Sequence, residues 1–182
     1  MSISHWKPRR RTVVCENPWW TYRLDMVELP SGKQVEYHYV HTRGSAMVVP
    51  VTADGRLLLV RQYRYPQDRE SLEFPGGGIE QGASAEETAR AELAEETGWR
   101  AAVWEKVGSF NPFNGVTDEM CQVFVARGLE PAPDAQPDET EELERVTLSA
   151  EELDEAIRSG TVWDGMSMAA WLLARGAVGC AG

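Results

Sequence analysis

Hydrophobic and polar residues alternate over the first 45 residues with the period of two that is typical of β-strands. The segment WWTYRLDMVEL is followed by the turn sequence PSGK and then by QVEYHYVHTR, a pattern that predicts a β-hairpin. Two further strands are predicted over about 46–51 and 57–63. The N-terminal third of the chain is therefore predicted to consist mainly of strands.

The same alternation returns after residue 100. AVWEKVGSF and EMCQVFVARGL predict two strands, with the loop NPFNGVTD between them. Two other segments, PQDRE and FPGGGIEQGA, are predicted to be loops, the second because it is too rich in glycine for regular structure.

Helix signals occur in three segments. Ser84 is predicted to begin a helix, because SAEE sets a hydroxyl cap against a glutamate three residues on, and Gly98 is predicted to end it. SAEELDEAIRSG repeats the capped pattern, and DGMSMAAWLLARG predicts a closing amphipathic helix. Strands on both sides of one strong helix favour an α/β sandwich over a doubly wound sheet.

Composition limits the classes of function. With 182 residues, 42% of them hydrophobic, the chain can form one globular domain with a small appendage. A net charge of −11 argues against nonspecific binding to nucleic acid, so a phosphate substrate would need local positive charge or a metal. The sequence shows no apolar run suited to a signal peptide or a membrane span, which predicts a cytosolic protein without a membrane partner.

Three carboxylates are concentrated near the end of the first predicted helix. At 100° per residue, Glu92, Glu95 and Glu96 fall on one side of it, where like charges repel. A solvated acidic face would relieve this repulsion. The glycine-rich loop before the helix suggests instead that the glutamates converge with loop carbonyls on Mg²⁺, which accepts both kinds of oxygen.

The segment GGIEQGASAEETARAELAEETGW, residues 77–99, resembles the Nudix box, the signature of hydrolases of nucleoside diphosphates linked to another moiety. The residues that match that pattern in register are Gly77, Glu92, Leu93, Glu95, Glu96, Gly98 and, loosely, Trp99.

Two positions depart from the Nudix box. Ala83 stands where the family has glutamate, and Ala91 stands where it has arginine. One hypothesis is that an ion pair was replaced as a unit, because the loss of one partner would leave a partly buried charge at a cost of about 3–5 kcal/mol. The alternative is a degenerate box with decayed catalysis.

The flanking sequence RQYRYP and LEFPGGGIE is similar to the branch of the Nudix family that hydrolyses ADP-ribose and nucleotide sugars, over about residues 17–175. This resemblance implies an α/β/α sandwich with a mixed sheet over residues 45–182. It also implies an N-terminal antiparallel strand appendage over residues 1–44, exchanged between the subunits of a homodimer.

The resemblance further implies a set of site residues. The carbonyl of Gly76 and the carboxylates of Glu92 and Glu96 would hold Mg²⁺, with Mn²⁺ as the alternative. Glu95 would be shared between ions and would take part in catalysis, and Glu119, in the loop SFNPFNGVTDE, would act as the base.

Substrate contacts are expected from arginine and tryptophan side chains. Arg43 and Arg64 match positions that contact substrate in relatives, and a guanidinium meets phosphate oxygens two at a time. Trp19 and Trp20 lie near the place where relatives stack an aromatic ring on the base. Because neighbouring strand residues point to opposite faces, only one of the two is expected to stack. His38 and His41, three apart in a strand, make a poor metal pair by the same rule.

The predicted function is metal-dependent hydrolysis of a nucleoside diphosphate sugar to a nucleoside monophosphate and a sugar phosphate. Phe113, Asn114 and Gly115 replace the SPG usual in hydrolases of ADP-ribose, which leaves GDP-mannose, UDP-glucose and similar compounds open as substrates. The alternatives are a Nudix-fold module that binds a nucleotide sugar without cleaving it, and a Nudix hydrolase of another nucleoside diphosphate derivative.

Overall fold

The computed structural model describes residues 3–136 and 142–179 of the chain. It divides into two compact units. The N-terminal unit comprises Met1–Arg43 together with Asn111–Met120, a segment that the sequence analysis places in the catalytic domain. The second unit comprises Gly44–Phe110 and Cys121–Gly182. Within the described ranges no helix is long and apolar enough to cross a membrane.

The N-terminal unit contains a three-stranded antiparallel sheet. Its strands are β1 (Lys7–Glu16), β2 (Thr21–Glu28) and β3 (Gln34–His41), in the order β1-β2-β3. The hairpin of β2 and β3 around PSGK is confirmed, with Thr21 paired to His41 and Glu28 to Gln34. Strand β1 was not predicted, because the charged run KPRRR hides the alternation of a strand that is exposed on both faces.

The predicted strand beginning at WW starts two residues too early. Trp19 and Trp20 lie in the turn before β2, where the Asn17 side-chain oxygen accepts hydrogen bonds from both of their backbone N–H groups at 2.9 Å. An asparagine that bonds its following backbone in this way stabilises a turn. The argument that the two rings point to opposite faces of a strand is therefore wrong.

In the described ranges 44–110, 121–136 and 142–179, the second unit contains two sheets and three helices. Its strands are β4 (Ser45–Pro50), β5 (Leu57–Arg64), β6 (Arg69–Glu73), β7 (Gly76–Gly78), β8 (Trp99–Phe110), β9 (Cys121–Pro131) and β10 (Glu144–Leu148). A mixed sheet has the order β7-β4-β9-β8, with β4 and β9 parallel, and an antiparallel sheet has the order β10-β5-β6. The predicted mixed α+β class is confirmed.

All three predicted helices are present. They are α1 (Ala85–Thr97), α2 (Ala150–Arg158) and α3 (Gly165–Val178). Helix α1 begins with a complete capping box between Ser84 and Glu87, and it ends at Gly98, whose φ of 70° is left-handed. Ser149 caps α2 in the same way, and the Asp164 carboxylate accepts from the first N–H groups of α3.

Strand β4 shows how the layers are formed. It is buried along its length, Ser45–Pro50, because helices cover both faces of the mixed sheet. Ala46 and Val48 pack in one apolar cluster with α1, whereas Met47 and Val49 pack in the other with α3. Alternate residues of a strand face opposite sides, so this arrangement is the predicted α/β/α sandwich.

Two strands contradict the loop predictions. In PQDRE, the last two residues belong to β6, after a 3₁₀ turn over Tyr65–Gln67. In FPGGGIEQGA, Gly76–Gly78 pairs with the first half of β4 as β7. A side chain at Gly76 would place its Cβ 2.4 Å from the carbonyl oxygen of Ala46, so the close approach of the two backbones requires glycine there.

Candidate active site

The three carboxylates of α1 differ in exposure. Glu96 is buried, with 9% of its surface exposed, Glu92 is half-buried and Glu95 is exposed. Leu93 anchors the helix in the core, and at 100° per residue Glu95 points 200° away from it. Glu92 and Glu96, four residues apart, remain neighbours on one face. The three carboxylates therefore differ in exposure, and Glu95 is the one most open to solvent.

The Glu92 carboxylate lies against the glycine strand β7. A Cβ built on Gly77 would lie 1.9 Å from Oε1 of Glu92, so the carboxylate occupies the place of the missing side chain. Gly76, whose carbonyl is the predicted metal ligand, is the neighbouring residue in the strand. The structure thus brings the predicted carbonyl and the first predicted carboxylate into one region.

The donors of this region fit a hard divalent cation. Carboxylate and backbone carbonyl oxygens suit Mg²⁺ or Mn²⁺, and Mg²⁺ commonly uses one or two protein carboxylates and completes its shell with water and phosphate. No group of three or more His, Cys, Asp or Glu side chains within residues 3–136 and 142–179 is arranged to hold a metal. Glu92, Glu96 and the carbonyl of Gly76 supply two carboxylates and a carbonyl, which are the kinds of oxygen that such an ion takes.

Arg64 is held by a carboxylate that the sequence analysis missed. Its Nε donates to Oε1 of Glu73 at 2.8 Å and its Nη2 donates to Oε2, which also accepts from Gln62. Glu73 is buried, whereas 43% of the Arg64 side chain is exposed. The bidentate pair fixes the plane of the guanidinium and leaves part of it open to solvent. In the sequence, Glu73 could have been recognised as an acidic residue between the apolar residues Leu72 and Phe74.

Arg43, Trp19, Trp20 and Glu119 belong to the N-terminal unit. Arg43 is exposed, two residues beyond the end of β3. Trp19 and Trp20 are 77% and 41% exposed, so the surface of each ring is accessible. Glu119 is half-buried, and its backbone N–H donates to Oγ1 of Thr117 at 3.1 Å.

The positions that depart from the Nudix box also differ in burial. Ala91 is exposed on α1 and Ala83 is half-buried. An arginine at an exposed position keeps its hydration, so the penalty for a lone charge at 91 is small. The neighbouring Arg90 does not replace the arginine that the Nudix box has at position 91. Its guanidinium bonds Glu86 at 2.8 Å and lies over the ring of Trp104. The hypothesis that the residues at 83 and 91 were replaced together rests on the cost of a lone charge, and at position 91 this cost is too small to support it.

Arg145 supplies positive charge at the acidic end of α1. Its Nη1 donates to the carbonyl oxygen of Thr97 at 3.1 Å, where the helix dipole is negative. Glu95 and Glu96 lie in the same last turn, so this cation offsets an unfavourable concentration of negative charge. Arg145 is 48 residues away in sequence and no local pattern points to it.

Residues 41–165 match the family model of the NUDIX domain. The chain belongs to the Nudix family. The matched range contains the carboxylates of α1, Arg43, Arg64 and Glu119, and it excludes the turn that carries Trp19 and Trp20. The resemblance on which the sequence analysis rests is confirmed.

The relatives of this Nudix protein act on different nucleotides. It is 34% identical over 142 residues to the ADP-ribose pyrophosphatase of Bacillus subtilis (strain 168), covering 78% of this chain and 77% of the relative. It is 31% identical over 165 residues to the CMP-5'-(N-acetyl-N-hydroxy-3-aminopropyl)phosphonate hydrolase of Streptomyces rubellomurinus, covering 90% and 79%. A crystal structure of an ADP compounds hydrolase superposes with a TM-score of 0.85 at 23% identity, covering 98% of this chain and 96% of that one, and so shares its fold.

Proposed function

We propose that this Nudix protein is a metal-dependent pyrophosphohydrolase of nucleoside diphosphate sugars, with ADP-ribose as the first candidate substrate. The products are a nucleoside monophosphate and a sugar phosphate. The observation that carries the proposal is the Glu92 carboxylate seated against the backbone of Gly77, with Glu96 one turn further along α1. The ADP-ribose pyrophosphatase relative supports the choice of substrate.

Glu92, Glu96 and the carbonyl of Gly76 are the proposed ligands of Mg²⁺, with Mn²⁺ as the alternative. Held by these groups, a divalent cation would polarise the pyrophosphate and lower the pKa of an attacking water. Glu119 takes the proton of that water at its carboxylate while the oxygen attacks phosphorus in line, and the bridging P–O bond breaks. Glu95, exposed near the end of α1, would be shared between ions and would take part in catalysis.

Arg64 and Arg43 are the proposed phosphate contacts. The Glu73 carboxylate orients the Arg64 guanidinium, so little side-chain entropy is lost when its exposed part meets a phosphate. Trp19 and Trp20 are the proposed stacking surface for the base, since both rings are accessible. The base and the sugar stay open, because one relative hydrolyses a CMP derivative.

We also propose that the protein is a homodimer with exchanged N-terminal strands. Asp25 is the one buried residue in β1, β2 and β3, so this sheet has almost no core of its own. Exposed Val13, Val14 and Tyr37 lie on its strands. A small sheet needs a hydrophobic face that is packed against something to be stable, and a second copy of the sheet would supply that packing.

The experiment that tests the function measures product release from ADP-ribose, ADP-glucose, GDP-mannose and UDP-glucose, with Mg²⁺ and with EDTA. Glu96→Gln and Glu119→Gln are compared with Glu86→Gln, an exposed glutamate on the same helix that pairs with Arg90. We expect metal-dependent cleavage that falls at least about 100-fold in the first two variants and stays unchanged in the third.

A second candidate is a module that binds nucleotide sugars without cleaving them, which Ala83 and Ala91 favour because both replace charged box residues. Nucleotide-sugar binding without turnover at saturating Mg²⁺ would establish this candidate and overturn the hydrolase proposal.

A further inference from the structure

His41 contacts the loop that carries Glu119. Its Nδ1 lies 2.7 Å from Oδ2 of Asp118, which is 77 residues away in sequence. An ionised carboxylate can only accept, so the imidazole N–H at Nδ1 donates this hydrogen bond. Both side chains are only partly exposed, at 34% and 43%, so solvent weakens the contact less than it would a fully exposed pair.

Backbone hydrogen bonds join the same two segments. The other oxygen of Asp118 accepts from the backbone N–H of Thr42 at 3.3 Å, and the N–H of Asp118 donates to the carbonyl of Val40. The N–H of Val40 donates in turn to the carbonyl of Val116 at 2.8 Å. The end of β3 and the loop 111–120 are therefore joined at several points, and the His41–Asp118 pair is the side-chain part of that connection.

The loop has little apolar burial to hold it in place. Its large hydrophobic residues Phe113, Val116 and Met120 are all exposed. Segments with few buried contacts depend on their hydrogen bonds for order. The contact between His41 and Asp118 is thus one of the hydrogen bonds on which the position of the loop depends.

Each member of the pair is close in sequence to a group proposed to act on the substrate. Asp118 directly precedes Glu119, the proposed base, and His41 is two residues before Arg43, a proposed phosphate contact. A displacement of about 1 Å at a reacting group can lower the rate about 100-fold. A contact that fixes Asp118 therefore affects catalysis through its neighbour.

We propose that His41 is a positioning residue, which holds Asp118 and so fixes the loop 111–120 with Glu119 in its working position. This inference rests on the proposed function, because Glu119 has its role only there. It assigns no direct contact with substrate to His41.

The test compares His41→Ala, His41→Asn and Asp118→Ala in the full chain. Asparagine can place an amide N–H near the position of Nδ1, so it should restore the bond that alanine removes. His38→Ala is the matched control, since His38 lies on the same strand and its Nδ1 is also 2.7 Å from its partner, which is the hydroxyl of Tyr22 on β2 and not a residue of the loop. Asp118→Ala removes the same contact from the loop side, so the proposal can still be tested if a substitution within β3 harms folding.

Two measurements are made on each variant. Hydrogen–deuterium exchange of peptides covering 111–120 reports the order of the loop, and kcat and KM for the best substrate of the panel report catalysis. We expect faster exchange and a fall in kcat of about tenfold or more in both alanine variants, with KM within about twofold. His41→Asn and His38→Ala should behave as the wild type.

Unchanged exchange in 111–120 for both alanine variants would overturn the proposal, and so would faster exchange with unchanged kcat. If the wild type cleaves no member of the panel, the proposed function fails instead. The exchange data then still decide whether the pair holds the loop, so the two failures are distinguishable.

Discussion

The carboxylate of Glu92 occupies space that a side chain at position 77 would need. Glycine is required at Gly77 for a different reason than at a turn, because the obstacle is a functional group and not the backbone angle. At Gly78, the next residue, no atom of the described chain lies within 4 Å of the place that a Cβ would take. A comparison of alanine substitutions at Gly77 and Gly78 therefore separates the effect of displacing Glu92 from the effect that any replacement of glycine has on this strand.

Gly77→Ala is expected to lower activity strongly, because the new methyl group displaces the Glu92 carboxylate, and to lower the free energy of unfolding by less than about 1 kcal/mol, because the end of that flexible side chain can move. Gly78→Ala should change both quantities little. Urea denaturation and the metal-dependent hydrolysis assay measure the two effects. Equal losses in the two variants would contradict the placement of Glu92.

Arg64→Ala is expected to lower the free energy of unfolding by about 1–3 kcal/mol. Removal of one partner leaves the buried Glu73 carboxylate without its bidentate donor, a loss that the partial exposure of the guanidinium reduces. Arg61→Ala, which removes a more exposed pair with Glu144, should cost less than about 1 kcal/mol. Urea denaturation compares the two, and a similar cost for both would show that the Glu73 pair has no special structural role.

At the scale of elements, the sequence predicts those helices and strands that are determined by interactions within one short segment. Helix α1 follows from Ser84, Glu87 and Gly98, because caps act within one turn. Strands β1 and β7 were missed because tertiary contacts determine them. Strand β1 is exposed on both faces, and strand β7 consists of glycines that pair with β4.

The capping box of α1 makes helix stability depend on pH. The backbone N–H of Ser84 hydrogen-bonds Glu87 and lowers the pKa of its carboxyl below the ordinary 4.5. Because the folded-state pKa is the lower one, the stabilisation is complete above pH 4.5 and is lost as the pH falls through the folded value.

Glu87→Gln is therefore expected to be less stable than the wild type at neutral pH and equal to it in strong acid. Urea midpoints measured from neutral to acid pH test this. Glu152→Gln in α2 should behave likewise, because the backbone N–H of Ser149 and the side chain of Arg56 lower the pKa of Glu152. A stability difference that does not change with pH would contradict the assignment.

At the scale of the whole molecule, the contiguous part of the candidate site was predictable and the long-range part was not. The Nudix box spans 23 residues, so its carboxylates could be read together with the glycines before them. Glu73, Arg145 and the His41–Asp118 pair act through contacts between distant segments. No single segment of the sequence carries a signal for such contacts.

The proposed dimer is testable through β1. Val13 and Val14 are both exposed on the strand, at 52% and 51%, so Val13→Lys/Val14→Lys places two charges on its surface. We expect sedimentation to give the wild type twice the chain mass of 20.3 kDa and the double variant the mass of one chain. Val103→Lys on β8, with 54% exposure against 52% for Val13, is the control and should stay dimeric. A monomeric wild type would refute the dimer.

The N-terminal unit is discontinuous along the chain, and this has a consequence for synthesis on the ribosome. Residues 1–43 emerge first, yet their partner segment 111–120 is complete only 77 residues later. At about 5–20 residues per second, the nascent sheet waits about 4–15 s for the segment that completes it. During this interval the exposed tryptophans and valines of the first 43 residues are accessible to chaperones and to neighbouring nascent chains.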